Sequence, residues 1–140
     1  MKKIYLALLG ASMFSGVAMA DTVSCYVDTQ AYDEYRENQC FGGGPLSSYR
    51  QGAIVFKVNA SKPIQSVTWD IASYGATPRP NSCNGNVCIV DVGRGEHEVE
   101  GCVDKIYYKD YTWADVNWCA TATANYWAGG HSPLAESEGQ

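Results

Sequence analysis

The sequence predicts an all-β protein: an antiparallel β-sandwich, or a related barrel, stabilised by three disulfides. Apolar and polar residues alternate with a period of two in several short segments, which is typical of half-buried strands. Glycine, proline and asparagine lie between those segments, where turns require them. The six cysteines form an even set, and in an exported chain such a set is expected to be paired.

Export is predicted by the first 20 residues, which have the pattern of a secretory signal peptide. Lys2 and Lys3 provide the positive start, an apolar stretch follows, and residues 18–20 (AMA) offer a small-residue cleavage site. The mature chain would therefore begin at Asp21. Because no cysteine follows the cleavage site directly, no lipid anchor is expected, and we predict a secreted or periplasmic location.

The predicted mature chain is acidic. Loss of the two leader lysines moves the formal charge from −5 to −7. Binding to a phosphate backbone or to anionic lipid needs basic patches, so neither nucleic acid nor a membrane surface is an expected partner. No later apolar run approaches the roughly 18 to 20 residues that span a bilayer. We expect one domain over residues 21–127 and a flexible tail over residues 128–140, with the oligomeric state left open.

The alternation places each predicted strand. Val23, Cys25 and Val27 alternate with polar residues in the first one. Residues 29–50 are polar, rich in tyrosine and contain a Gly-Gly-Gly-Pro run, so we predict a long connection there, with one helical turn around residues 33–37. The remaining strands are predicted at residues 53–59, 66–71, 88–92, 96–103 and 117–126.

The faces of the last two strands predict how these strands pair. Cys102 shares a face with three glutamates, and Cys119 shares a face with two threonines. If Cys102 lies opposite Cys119 in an antiparallel ladder, Val103 faces Trp118 on the apolar side. The same register pairs Glu100 with Thr121, Glu98 with Thr123 and Val99 with Ala122. A slip of one residue would destroy this match, so we predict a Cys102–Cys119 disulfide.

The other four cysteines are assigned by loop length and by elimination. Cys83 and Cys88 enclose an Asn-Gly turn, so the two would meet across a tight hairpin. A Cys25–Cys40 disulfide then remains and ties the first strand to the long connection. Zinc binding by thiolates is the rival interpretation. Because the chain has no C-x-x-C pair and only two histidines, disulfides are favoured and no metal is expected.

Two strand segments carry a family resemblance. Ile64–Trp69 (IQSVTW) forms a strand pattern with an inward tryptophan, and Gly95–Asp104 (GEHEVEGCVD) forms a second, longer one. Both resemble strands of bacterial immunoglobulin-like and PKD-like modules of exported proteins. The resemblance spans about residues 51–124 and implies an immunoglobulin-like sandwich that binds or spaces rather than catalyses. In one departure, the inter-sheet disulfide of antibody domains would need a cysteine near residues 54–58, where none occurs.

The aromatic segment at residues 106–118, between the last two predicted strands, is the leading binding candidate. Its candidate ligand-binding residues are Tyr107, Tyr108, Tyr111 and Trp113. Tyrosine and tryptophan offer large contact area at low entropic cost, and they suit wet protein interfaces or stacking on sugar rings. We therefore predict a non-catalytic module that recognises a glycan or a protein. The alternative is that some of these rings seal the end of the core, as Trp118 is expected to do.

A second candidate surface is the stiff loop at residues 76–83. Arg79 lies between Pro78 and Pro80 and near a predicted disulfide. This pattern suggests a secreted protease inhibitor or effector that presents Arg79 to a trypsin-like pocket. Pro80 argues against a substrate-like geometry, because the residue after the scissile position would lack its N–H. The loop remains the alternative partner surface.

Catalysis has little support in the sequence, and we predict neither enzymatic activity nor a cofactor. The motifs G-x-S-x-G, H-E-x-x-H and Gly-Lys-Ser/Thr are absent. His97 is the one candidate base in a predicted strand, but it lies on the apolar face there, and His131 lies in the predicted tail. The row Glu96, Glu98 and Glu100 could hold calcium or meet a cationic partner, but alternating carboxylates are typical of a solvated strand face.

Overall fold

The structure is a computed structural model that describes residues 21–29, 33–47 and 50–129. Nine strands and no helix occur within these ranges. Their bounds are β1 Thr22–Val27, β2 Arg36–Glu37, β3 Gln39–Leu46, β4 Gly52–Asn59, β5 Ile64–Ala72, β6 Thr77–Pro78, β7 Val87–Val92, β8 Gly95–Tyr108 and β9 Trp113–Ala128. The predicted signal peptide, His131 and most of the predicted tail lie outside the described residues.

The strands form two sheets that enclose one core. One sheet has the order β2-β1-β4-β7-β6 and the other has the order β3-β9-β8-β5. Both sheets contribute apolar side chains to the core, and the largest fully buried ones are Phe56, Ile54 and Ile106. The predicted all-β sandwich is therefore confirmed. Within the described ranges, no helix is long and apolar enough to cross a membrane.

All three predicted disulfides are confirmed. They are Cys25–Cys40, Cys83–Cys88 and Cys102–Cys119. The predicted register of the last two strands is confirmed with them, because Cys102 lies opposite Cys119 and Val103 lies opposite Trp118. Glu100, Glu98 and Val99 also face their predicted partners. Three disulfides in a domain of this size indicate an oxidising compartment.

The prediction of a long connection with a helical turn over residues 29–50 is wrong. Residues 36–37 form β2 and residues 39–46 form β3, which runs parallel to β9. Glycine permits the close approach of β3, because a Cβ on Gly43 would lie 1.8 Å from the carbonyl oxygen of Asn125. Pro45 is tolerated in β3 because an edge strand can do without one main-chain donor. The Gly-Gly-Gly-Pro run, which in the sequence indicates a turn, is therefore part of a strand in the structure.

Strand β4 is more buried than its alternation predicts. The face that carries Ile54 and Phe56 lies in the core, as expected, but Ala53 and Val55 on the opposite face are also buried. The predicted half-burial of this strand is therefore wrong. The physical reason is its central position, because β4 lies between β1 and β7 and has no exposed edge.

The predicted connection over residues 106–118 is mostly strand. β8 continues to Tyr108 and β9 begins at Trp113, so the turn consists of residues 109–112 only. A register shift follows Val103, after which the ladder resumes with Lys105 opposite its partner on β9. Such an irregularity breaks the period of two and hides the strand from sequence analysis. The aromatic residues therefore lie on a long hairpin, called here the β8–β9 hairpin.

Candidate functional site

The outer face of the β8–β9 hairpin carries two neighbouring aromatic rings. Tyr107 lies directly opposite Trp113 in the ladder, and both side chains point away from the core. Tyr107 is 40% exposed and Trp113 is 57% exposed. Cross-strand aromatic neighbours of this kind stabilise a sheet modestly, but here more than half of the larger ring faces water. We call Tyr107 and Trp113 the aromatic pair.

Lys105 lies next to the aromatic pair and is held there by three partners. Its Nζ is 4.1 Å from the ring centroid of Trp113 and 5.6 Å from that of Tyr107. A carboxylate oxygen of Asp115 lies 3.9 Å from the same ammonium. Cation–π contact and ion pairing together fix this side chain over the rings. Sequence analysis missed Lys105, although its position two residues before Tyr107 places both on one strand face.

The tip of the hairpin is a tightly bonded turn. The N–H of Tyr108 donates to the carbonyl of Thr112 at 2.8 Å, and the N–H of Tyr111 donates to the carbonyl of Tyr108 at 3.1 Å. Asp110 accepts a hydrogen bond from the N–H of Thr112 at 3.0 Å. Hydrogen bonds from Thr112, together with the nearby ammonium of Lys62, hold the pKa of Asp110 below its usual value. The turn is therefore defined by its own side chains as well as by the ladder.

Three contacts with the segment before β5 brace the same turn. The N–H of Lys109 donates to the carbonyl of Pro63 at 3.0 Å. The Nζ of Lys62 lies 3.4 Å from the carboxylate of Asp110 and 3.3 Å from the hydroxyl of Thr112. These contacts hold the tip against the body of the domain, so the tip is a positioned structure rather than a free loop.

The four predicted ligand-binding residues do not form one cluster. Tyr107 and Trp113 share the outer face, and Tyr111 projects from the tip with 97% of its surface exposed. Tyr108 lies on the other face, where it packs against the core cluster. The ammonium of Lys62 lies 4.8 Å from the Tyr108 ring centroid. The structure therefore leaves three of the four exposed and uses the fourth for packing.

The alternative surface at residues 78–80 is tied to the sheet. Pro78 belongs to β6 and pairs with β7, and the N–H of Arg79 donates to the carbonyl of Ile89 at 2.9 Å. The guanidinium of Arg79 makes two hydrogen bonds with Asp91, at 2.6 Å and 3.4 Å, and these bonds raise the pKa of Arg79. Pro80 follows on the exposed side. Arg79 thus serves the fold through its side chain.

The residues considered for catalysis and for metal binding are held in contacts that serve the fold. The Nε2 atom of His97 lies 2.8 Å from the carbonyl oxygen of Gly93, so the imidazole bonds to the main chain of the preceding turn. Glu100, Cys102 and Cys119 place possible metal-ligand atoms within 4.8 Å of one another. The two sulfurs are joined in a disulfide and offer no thiolate, so this group does not have the chemistry of a metal centre.

A cavity of 480 Å³ lies at the opposite end of the sandwich from the hairpin tip. Asp28, Arg50 and Tyr126 are among the residues that line it. Burial, and then the carboxylate of Asp33, raises the pKa of Asp28. The hydroxyl of Tyr126 shares its one hydrogen between the carbonyl oxygens of Asp28 at 2.7 Å and Ala53 at 3.1 Å, so it joins the two sheets. None of the predicted site residues lines this cavity.

Comparison of the chain with models of protein families, with curated proteins and with solved structures finds no match. The assignment of function therefore rests on the residues and their geometry.

Proposed function

We propose that this chain is an exported, non-catalytic binding module that recognises a glycan or a protein through the β8–β9 hairpin. The observation that carries the proposal is the aromatic pair, Tyr107 and Trp113, which lies side by side on an outer sheet face and stays substantially exposed. Water contact of large apolar rings is unfavourable, and aromatic surface of this kind is typical of recognition sites.

The export part of the proposal has two supports. Residues 1–20 have the composition of a secretory signal peptide. Three disulfides persist where the surroundings are oxidising, as in the periplasm or outside the cell.

The immunoglobulin-like assignment rests on the resemblance of Ile64–Trp69 and Gly95–Asp104 to strands of such modules, and two packed sheets are compatible with it. Sandwiches of this class commonly bind through the loops and hairpins at their ends.

The inhibitor alternative has less support than the hairpin. To enter a trypsin-like pocket, the Arg79 side chain would have to leave Asp91, with which it forms a two-point ion pair. The hairpin needs no such rearrangement, because Tyr107 and Trp113 are 40% and 57% exposed with Lys105 in place. His97 does not support catalysis either, because its Nε2 atom is hydrogen-bonded to the main-chain carbonyl of Gly93.

The test is a double substitution, Tyr107→Thr together with Trp113→Thr. Threonine keeps the strand propensity of both positions and removes both rings. Immobilised protein is presented with a panel of neutral, acidic and amino-sugar glycans and with fractionated envelope proteins of the producing cell. We expect each interaction of the unsubstituted protein to weaken at least about tenfold in the double variant.

The matched control is Tyr74→Thr, which removes a fully exposed ring outside the hairpin. This variant should bind like the unsubstituted protein. Equal binding by the double variant would contradict the proposal, and so would a lack of binding by the unsubstituted protein across the whole panel. If the double variant unfolds, as judged by circular dichroism, the two rings are needed for folding and the proposed recognition surface is wrong.

A further inference from the structure

Within the described ranges, three residues other than glycine have a left-handed backbone, and for one of them this conformation is sterically unfavourable. Asn38, Asn81 and Tyr111 have φ angles of 66°, 65° and 67°. Asparagine tolerates this region because its short polar side chain bonds locally, whereas a bulky residue meets a steric penalty there. Tyr111 is therefore the position at which the backbone and the side chain disagree.

The turn explains why the backbone of Tyr111 must be left-handed. Within the turn at residues 109–112, the hydrogen bond from Tyr108 to Thr112 closes a loop of three residues, 109–111, and the bond from Tyr111 to Tyr108 lies inside it. In such loops a tight turn is followed by one left-handed residue, and glycine is the favoured residue at that position. The contacts of Lys62 and Asp110 hold the turn in this form. The chain thus fixes a glycine-type conformation and places a tyrosine in it.

Nothing within the described part of the chain accounts for that tyrosine. Its side chain is 97% exposed, so it buries almost no surface. Tyr111 has no side-chain hydrogen bond, ring contact or cation contact to another described residue. A strained, exposed aromatic residue that does not help its own fold is expected at a functional position, since strain persists where function requires it.

The shape of the tip selects the kind of partner. A sugar ring needs an aromatic face supported by neighbouring hydrogen-bonding groups, but Tyr111 stands alone and Trp113 has the Lys105 ammonium 4.1 Å from its centroid. A projecting side chain without neighbours gains contact area only by entering a concave site on another molecule. Rigid tyrosines on protruding loops bind protein pockets in this way.

We infer that Tyr111 is an insertion residue: the hairpin tip places its phenol ring into an apolar pocket on a partner protein, and the aromatic pair contacts the rim of that pocket. The inference rests on the proposed function and narrows its partner class from a glycan or a protein to a protein. Tyr107 and Trp113 lie on the strands that lead to the tip, so one partner can cover all three rings.

The first part of the test separates strain from recognition. Tyr111→Asn removes the ring and introduces a residue that tolerates the left-handed conformation. We expect its melting temperature to equal that of the unsubstituted protein or to exceed it by about 2–5 °C, because the backbone penalty is relieved. A lower melting temperature would overturn the inference, since the ring would then be serving the fold.

The second part identifies the partner and measures the contribution of the ring. Benzoylphenylalanine is placed at position 111 or, as a control, at the exposed position 74, and the producing cell is irradiated. The protein that is crosslinked from position 111 and not from position 74 is identified, purified and titrated with each variant. We expect Tyr111→Asn to weaken its binding at least about thirtyfold, and Tyr111→Phe to weaken it less.

The outcomes distinguish this inference from the proposed function. If Tyr107→Thr with Trp113→Thr weakens binding but Tyr111→Asn does not, insertion is wrong and the binding module stands. If neither variant weakens binding, both ideas fail. A neutral glycan whose binding needs Tyr111, or equal crosslinking from positions 111 and 74, would also overturn a protein pocket as the partner site.

Discussion

Two tyrosines at opposite ends of the β8–β9 hairpin have contrasting environments. Tyr126, at the open end, is 3% exposed, and its hydroxyl donates to the carbonyls of Asp28 and Ala53 in the facing sheet. Tyr111, at the tip, is almost fully exposed and has an unfavourable backbone conformation. The same residue type thus joins two sheets at one end and projects into water at the other.

The difference shows which tyrosine the fold needs. At the open end the surrounding residues have adapted to the ring, because Gly52 leaves the space that the Tyr126 ring fills. At the tip the turn is braced by Lys62 and Asp110, but these contacts hold the backbone and leave the ring free. Packing therefore explains Tyr126, whereas no side-chain contact with the described residues explains Tyr111.

The largest effect is expected from filling the space beside Tyr126. In Gly52→Ala the new Cβ would lie 2.1 Å from Cε2 of that ring, far inside contact distance. The ring would have to move and would lose its hydrogen bonds to the facing sheet. We expect the free energy of unfolding to fall by about 3 kcal/mol, measured by urea denaturation.

Gly44→Ala is the control for this substitution. A Cβ on Gly44 meets nothing within 4 Å, so the free energy of unfolding should change by less than about 0.5 kcal/mol or rise slightly. Similar losses in the two variants would show that glycine itself, rather than the space for Tyr126, matters at position 52.

The second prediction concerns alkaline pH. Burial raises the pKa of Tyr126 to about 12, against about 10 in the unfolded chain. The fold therefore favours the neutral phenol, and its contribution is complete below pH 10 and is lost as the pH rises from about 10 to about 12. Across that range we expect this group to remove roughly 2 to 3 kcal/mol from the free energy of unfolding.

Tyr126→Phe should abolish this part of the pH dependence. At neutral pH it should cost about 1 to 2 kcal/mol, because the carbonyls of Asp28 and Ala53 lose the one hydroxyl donor that they share. The measurement is urea denaturation at a series of pH values from about 8 to about 12, with Tyr74→Phe as the control that removes an exposed hydroxyl. The assignment to Tyr126 would be wrong if its phenylalanine variant kept the same alkaline loss.

The sequence predicts the half of the hairpin that lies away from the tip, here called the open half, and there is a physical reason for this. Between Glu96 and Val103 the side chains alternate without interruption, and the faces of β8 and β9 match in only one register. The disulfide partners Cys102 and Cys119 therefore fall opposite each other, as predicted. Alternation is a local pattern, and here it carried the information on strand pairing.

The tip and β3 could not be predicted in the same way. The register shift after Val103 interrupts the alternation, so the residues up to Tyr108 have the pattern of a loop although they continue the strand. In β3, Gly43 and its neighbours depend on the approach of β9, which is distant in sequence. The aromatic residues of the site could be named from the sequence, but their division between an outer face, a tip and the core depends on this longer hairpin.

The smallest predicted effect tests how weakly surface contacts hold the tip half of the hairpin compared with the packed open half. Lys105→Met keeps most of the side chain's length and removes the ammonium from Trp113, Tyr107 and Asp115. The free energy of unfolding should fall by about 0.5 to 1 kcal/mol, and Trp113 should become more exposed to a soluble fluorescence quencher.

Lys57→Met is the matched control variant. The ammonium of Lys57 lies 5.2 Å from the Tyr35 centroid, so its removal should lower the free energy of unfolding less. A loss for Lys105→Met as large as that for Gly52→Ala would contradict the comparison, since the tip half would then depend on its surface contacts as strongly as the open half depends on packing.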